Sequence, residues 1–353
     1  MSELVVIGLS LSSSWGNGHA TTYRALLRGL RQAGQRVLFL ERDVPWYAAN
    51  RDLPCPDFCE LALYESPTDL LDRFGSRIAA ARAVIVGSYV PDGVEVLDRV
   101  LERASGPVAF YDIDTPITVA ALDSGTDTYI APRQIPFLDL YFSFTGGPML
   151  EHLRQRYSAR RPCALYCALD ANDASVPRAR LRWDLGYLGT YSADRQPALE
   201  RLLLEPARRL PDRRFVVAGP QYPTDIAWPA NVDRIEHLPP ADHAGFYAAQ
   251  RFTLNITRAA MVQAGWSPSV RLFEAAGCGT PVISDRWAGL LDIFPDAVIV
   301  ADDTDDVVRA LTEMPGDARR GIGATARALV LDRHTGTARA RELLLALETV
   351  AKQ

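Results

Sequence analysis

Gly265-Trp-Ser-Pro-Ser-Val-Arg-Leu-Phe-Glu-Ala-Ala-Gly-Cys-Gly-Thr-Pro-Val-Ile-Ser-Asp285 is the stretch whose reading decides the fold. Ser267-Pro268-Ser269 is a helix start, with capping-type residues and a proline suited to a first turn. Val270, Leu272, Phe273 and Ala276 then line a face that a core can cover. Gly277-Cys278-Gly279 stops the helix, because glycine accepts the left-handed conformation of a C-terminal cap. Pro281-Val282-Ile283-Ser284 begins a buried strand. Arg271 and Glu274 lie one helical turn apart and face the same way. Surface Arg–Glu pairs are common and weak, so the weight of these two rests on the residues around them.

Outward from this helix–turn–strand the chain alternates between strand and helix patterns. Before it, Asp184–Leu188 reads as a strand ending in Gly189-Thr190-Tyr191, and Gln196–Leu210 as a long helix. Phe215–Ala218 is a strand followed by Gly219-Pro220, Ile235–Leu238 a short strand, Ala241–Gln250 a helix and Phe252–Ile256 a strand. After it come a strand at Ala297–Ala301, helices at Thr304–Glu313 and Asp317–Val330, and a terminal helix at His334–Ala351. The first half repeats the pattern. Leu4–Leu9 is an apolar run of the buried parallel kind, Ser10–Ala20 is rich in Gly and Ser, Thr21–Ala33 is helical and Val37–Leu40 is a strand. Helices at Leu70–Ala81, Asp92–Ala104 and Met149–Tyr157 alternate with strands at Ala83–Gly87, Val108–Tyr111, Asp139–Phe144 and Cys163–Tyr166. The expected fold is α/β: two facing Rossmann-like, doubly wound domains with a cleft between them. They fall at residues 1–172 and 183–333, with the polar stretch Asp170–Arg182 as linker. A terminal helix at 334–353 can cross back to the first domain.

Composition agrees with this class. The 353 residues exceed one typical core, and 48% hydrophobic with 23% charged residues is a soluble globular balance. A formal net charge of -5 argues against duplex nucleic acid as the main partner. The start, Met1–Gly8, reads as a strand rather than a signal peptide. No run approaches the roughly 18 apolar residues of a membrane span. Cys55 and Cys59, and Cys163 and Cys167, have a spacing open to zinc, but both pairs lack the tight knuckle. Unpaired cysteines suit a reducing, cytoplasmic setting.

Several positions carry candidate chemistry. Ser12–Ala20 precedes a helix N-terminus that favours an anion, yet it has neither a Walker sequence nor the dinucleotide fingerprint. His19, at its mouth, is either a general base or ligand donor or a helix-start residue bonded to its own loop. Asp112-Ile113-Asp114 has the D-x-D spacing of some metal–diphosphate sites, and in a strand both carboxylates face one way. No second acidic cluster accompanies them, so no metal is expected. Acceptor contact or general-base work for Asp112 or Asp114 competes with a structural turn before Thr115-Pro116. Gly189-Thr190-Tyr191-Ser192 with Asp194-Arg195 reads as a phosphate cradle or as an ordinary strand-to-helix turn. Gly219 marks a second close approach, while Asn255, Arg258 and Asp285 end neighbouring strands.

Tyr187-Leu-Gly-Thr-Tyr191 with Arg195, Phe215-Val-Val-Ala-Gly219 and Arg271-Leu-Phe-Glu-Ala-Ala-Gly-Cys-Gly-Thr-Pro-Val282 together resemble the two-domain GT-B glycosyltransferases. The resemblance is closer to their CgeB-like, spore-maturation-protein-like branch, whose segments Tyr111–Pro116 and Phe142–Pro148 also resemble. It implies a transferase that moves a sugar from a nucleotide-diphosphate donor, a UDP-sugar above all, with no cofactor and no metal. It implies that Glu274 bonds the ribose, that Gly189, Thr190 and Arg195 lie beside the diphosphate with Gly219, and that Gly279 and Thr280 belong to the signature turn. Arg271 is expected to face the diphosphate. The first domain would hold the acceptor, with Gly16, Gly18 and Thr115 on that side and His19, Asp112 or Asp114 as base. The acceptor is left open among saccharide, protein, metabolite and modified base. Trp266 departs from the retaining pattern, which has a glutamate eight positions before Glu274, and this opens inversion. A sugar-nucleotide epimerase and a non-catalytic nucleotide-sugar-binding protein are the alternatives.

Overall fold

The computed structural model describes residues 3–15, 18–126, 128–169 and 179–351. The chain forms two compact units, Met1–Asp170 with Thr335–Gln353, and Ala171–His334. Most of the expected linker, and Gly16 of the first loop, lie outside the described residues.

The first unit is built on a seven-stranded parallel sheet. Its strands are β1 (Leu4–Gly8), β2 (Val37–Arg42), β3 (Glu60–Tyr64), β4 (Ala83–Gly87), β5 (Val108–Asp112), β6 (Leu140–Ser143) and β7 (Pro162–Ala164), in the order β3-β2-β1-β4-β5-β6-β7. β1, β4 and β5 are buried at every position, as continuous apolar runs require when helices cover both faces. β3 escapes sequence reading because it is an edge strand with one fully buried residue, Tyr64. The terminal helix Gly336–Ala351 packs on the His19–Gln32 helix of this unit. Gly29 and Gly336 permit the crossing: a Cβ on Gly29 would stand 2.1 Å from the Gly336 carbonyl oxygen.

The second unit has six parallel strands, β8 (Trp183–Leu188), β9 (Phe215–Ala218), β10 (Val232–Ile235), β11 (Gln250–Asn255), β12 (Val282–Ser284) and β13 (Val298–Val300). Their order is β10-β9-β8-β11-β12-β13. The expected Gln196–Leu210 helix is one helical run with a π segment at Glu200–Leu204. Pro206 follows it, and a proline clashes with the carbonyl four residues earlier, which a widened turn relieves. The quoted stretch forms the helix Val270–Gly277 and β12, as its sequence predicts. Ser269 is the N-cap residue, but its Oγ donates to Asn255 Oδ1 at 2.9 Å instead of capping the helix. Among the described residues, no helix is long and apolar enough to cross a membrane.

Candidate functional site

In both sheets the strand order reverses at one point, between β1 and β4 and between β8 and β11. Ligands of open α/β sheets bind at the carboxyl ends of the strands flanking such a reversal.

In the second unit Arg271 occupies that point. Its Nε donates to the Leu188 carbonyl at the end of β8, 2.5 Å away, and its Nη1 to Asn255 Oδ1 at the end of β11, 2.9 Å away. Its guanidinium lies 4.7 Å over the Tyr187 ring. Nη2 points toward Gly189, where a Cβ would stand 3.1 Å from it. No carboxylate among the described residues forms an ion pair with this partly buried cation, and Glu274 does not turn to it. Asp285, at the end of β12, spends its oxygens on the Thr257 N–H and Oγ1 at 2.8 and 2.9 Å. Burial raises its pKa in spite of those bonds and of Arg271.

The turn after β8 forms the wall beside this guanidinium. Tyr222 Oη donates to the Gly189 carbonyl at 3.0 Å, and Arg195 Nη2 to the Thr190 carbonyl at 2.7 Å. Gly219, at φ 137°, lets the end of β9 close in, since a Cβ there would fall 2.1 Å from the Gly189 oxygen. Asp194 accepts from the Ala259 N–H at 2.9 Å and so clips this turn to the connection after β11. The structure thus brings Gly189, Thr190, Arg195, Gly219 and Arg271 together. It changes two roles. The N–H groups of Gly189 and Tyr191 are already donated to the Ala218 and Pro220 carbonyls, so the turn is a poorer backbone cradle than its glycine suggests. Arg195 Nη2 is a strut for Thr190 while its Nε is buried without a partner, so donor capacity remains on Arg195 as well as on Arg271.

Glu274, one turn further along the helix, accepts from Tyr247 Oη at 3.1 Å and lies 3.5 Å from His243 Nδ1. Burial lowers the His243 pKa, but Glu274, a backbone bond to Leu238 and Asp242 together outweigh it, and the net direction is up. A folded-state pKa above the unfolded 6.5 gives stability that is full below that value and is lost as pH rises through the raised one. The difference in melting temperature between wild type and His243→Gln is therefore expected to shrink steadily above pH 6.5, as a pH series of thermal melts would record.

Gly279 and Thr280 do not join the site. The Val270–Gly277 helix carries the chain away from the carboxyl edge, so both residues lie just before β12 at the opposite end of the sheet. Gly279 takes φ 69° as the turn that ends the helix, and Thr280 Oγ1 donates to the Tyr247 carbonyl at 2.8 Å. The sequence signature there is one of chain reversal.

In the first unit, the carboxyl edge at β1, β4 and β5 gathers His19, Tyr89 and Asp114. Gly18 is the N-cap residue of the helix that begins at His19. The His19 and Tyr89 rings meet edge to face at 5.1 Å, and Tyr89 Oη donates to Asp114 Oδ2 at 3.1 Å. Burial lowers the His19 pKa and the Asp114 charge raises it, with burial the stronger. His19 Nδ1 is buried without a hydrogen-bond partner. Tyr89 is held at φ 62°, rare for a bulky residue, and strain of this kind gathers at functional sites.

Asp112 and Thr115, expected on the acceptor side, are instead enclosed in the protein. The strand ends at Asp112, and Pro116 at a helix start turns the chain into Thr115–Asp123, so the two-residue strand period does not reach Asp114. Asp112 is fully buried and accepts from Tyr141 Oη at 2.6 Å and Thr118 Oγ1 at 2.8 Å; burial pushes its pKa up to about 7. Thr115 is equally buried, donating to the Asp112 carbonyl and accepting from Ser143. Both are closed off from the surface and hold the edge of β5.

Glu41, which sequence reading passed over, explains the first loop. It is the next-to-last residue of β2, near where dinucleotide-binding folds place a ribose-binding acid. Here its buried carboxylate accepts from the Leu11 and Ser12 N–H groups at 2.7 and 2.9 Å and from Ser12 Oγ at 2.6 Å. Arg24 ties the same loop down through the Leu11 carbonyl and Asp52. The position is filled by the protein's own loop.

None of the five cysteines is in a disulfide. The described residues include no group of three or more His, Cys, Asp or Glu side chains placed to hold a metal ion.

A sequence model of a family described as "Glycosyl transferase-like" matches residues 195–345. No curated protein matches the chain in sequence. Solved structures do match it in fold. An α-glucosyltransferase bound to UDP-glucose and DNA containing an abasic site superposes with a TM-score of 0.72 at 9% identity, over 98% of this chain and 99% of that one. Sucrose-phosphate synthase from Thermosynechococcus elongatus gives 0.67 at 14% identity, over 99% and 100%. The Anabaena protein HepE in complex with UDP and glucose gives 0.65 at 10% identity, over 99% and 100%. The chain has the GT-B fold of such glycosyltransferases.

Proposed function

We propose that the chain is a glycosyltransferase that takes a sugar from a nucleoside-diphosphate sugar, with a UDP-sugar as donor, and passes it to a hydroxyl acceptor without a metal. One observation carries this reading: a partly buried guanidinium stands at the strand-order reversal of the second unit with donor capacity to spare and no ion-paired carboxylate among the described residues. A cation left unpaired in this way is costly unless an anion completes it. The family match over the second unit and the UDP complexes among proteins of the same fold support a nucleotide diphosphate as that anion. The motifs at Tyr187–Tyr191 and Arg271–Val282 resemble those of the CgeB-like branch.

In this reading Arg271 meets the charge that grows on the leaving diphosphate, and Glu274 accepts from the ribose hydroxyls. The acceptor oxygen bonds to the anomeric carbon as the bond from that carbon to the diphosphate oxygen breaks. The diphosphate leaves with the electron pair, and the acceptor proton passes to the His19 imidazole, which burial keeps neutral and able to receive it. Such a direct displacement inverts the anomeric centre. Incubation with UDP- and dTDP-sugars, with and without saccharide acceptors, tests the reading through release of nucleoside diphosphate. Acceptor-dependent release supports it. Sugar isomerisation without release would make the chain an epimerase, and binding without turnover a non-catalytic receptor.

A further inference from the structure

The connection from β11 into the Val270–Gly277 helix carries a strained aromatic residue. Trp266 stands at φ 42°, where the Cβ of an L-residue crowds its own backbone. The Trp266 N–H donates to the Ala288 carbonyl at 2.6 Å, and the indole lies on Gly289, where a Cβ would fall 2.4 Å from its Cγ. One face of the ring is therefore fixed against the connection that follows β12. The side chain is only partly buried, and its other face meets no aromatic ring or guanidinium among the described residues. Trp266 precedes Ser269, which shares Asn255 Oδ1 with Arg271. Its contacts with Ala288 and Gly289, on the connection that follows β12, place the indole at the carboxyl edge of the same sheet. Strain of this kind persists where the surroundings over-determine it, and it gathers at ligand sites.

We propose that Trp266 is a specificity residue for the donor's glycosyl group, offering a flat apolar face to the C–H face of a pyranose. The inference rests on the donor-site reading of the second unit. A side chain that stacks takes its binding energy from ring contact and not from sugar hydroxyls, so deoxy-hexoses are accepted as readily as hexoses.

Calorimetric titration of UDP, dTDP, UDP-glucose, dTDP-glucose and dTDP-rhamnose into wild type, Trp266→Ala, Trp266→Phe and Trp266→Asn tests this. The asparagine variant tolerates the left-handed backbone and keeps the fold. The expected result is unchanged affinity for the nucleoside diphosphate in every variant. Affinity for the tightest sugar nucleotide falls about tenfold in the alanine and asparagine variants and is largely kept in the phenylalanine variant. An unchanged ratio of sugar-nucleotide to diphosphate affinity overturns the inference and leaves the donor site standing. A wild-type chain that binds none of the five overturns both.

Discussion

Arg271→Lys lowers kcat/KM for the sugar nucleotide about a hundredfold, although the charge is kept. The reason is geometric. The guanidinium reaches the Leu188 carbonyl, Asn255 Oδ1 and the Tyr187 ring at once, while Nη2 still points at Gly189. A lysine ammonium is a compact point charge on a flexible stem and cannot span both strand ends while presenting a donor to a third group. Loss of one preorganised donor to developing negative charge costs about 10²–10³ in rate. Arg271→Ala is expected to lose more and to lower stability by about 2–3 kcal/mol, since Asn255 Oδ1 and the Leu188 carbonyl lose a charged donor. Steady-state diphosphate release and urea unfolding measure the two effects. A lysine variant within threefold of wild type would take Arg271 out of the site.

His19→Asn lowers kcat by about 10²–10⁴ and leaves donor affinity unchanged, as removal of a general base does. Its pH profile separates this from loss of packing. The base works when neutral, so the rate falls as pH drops through the His19 pKa, which burial places below 6.5. Asp114 raises that pKa, so Asp114→Asn moves the acid limb to lower pH. A limb that stays in place in Asp114→Asn, or a histidine variant of normal kcat, would exclude His19 as the base.

What the sequence made legible follows from the range of the forces involved. The parallel α/β class is written in local runs such as Leu4–Gly8 and Phe215–Ala218, which are apolar because both sheet faces are covered. The start and stop of the Val270–Gly277 helix are local too. The partners of Arg271 are not: Leu188 and Asn255 come together only through strand pairing. Of the two roles the sequence leaves open for Asp112, its burial agrees with the structural turn: the strand ends there and Pro116 starts a helix, so strand periodicity does not carry on to Asp114. Gly279 and Thr280 share the signature turn with Glu274 in sequence, but they lie past the end of the Val270–Gly277 helix and just before β12, away from the carboxyl edge that Arg271 reaches. Trp266 stands out in the sequence only as a departure from the retaining pattern and Tyr89 not at all, since nothing in residue type announces the strained backbone of either.

The central claim is that the strand-order reversal of the second unit holds a nucleoside diphosphate. A crystal of the chain soaked with UDP, with dTDP in parallel, tests it most directly. The account predicts diphosphate density within hydrogen-bond reach of Arg271 Nη2 beside Gly189 and Thr190, with the ribose against Glu274. Nucleotide seated on the Ser10–Ser14 loop of the first unit, or no nucleotide at either place, would contradict it.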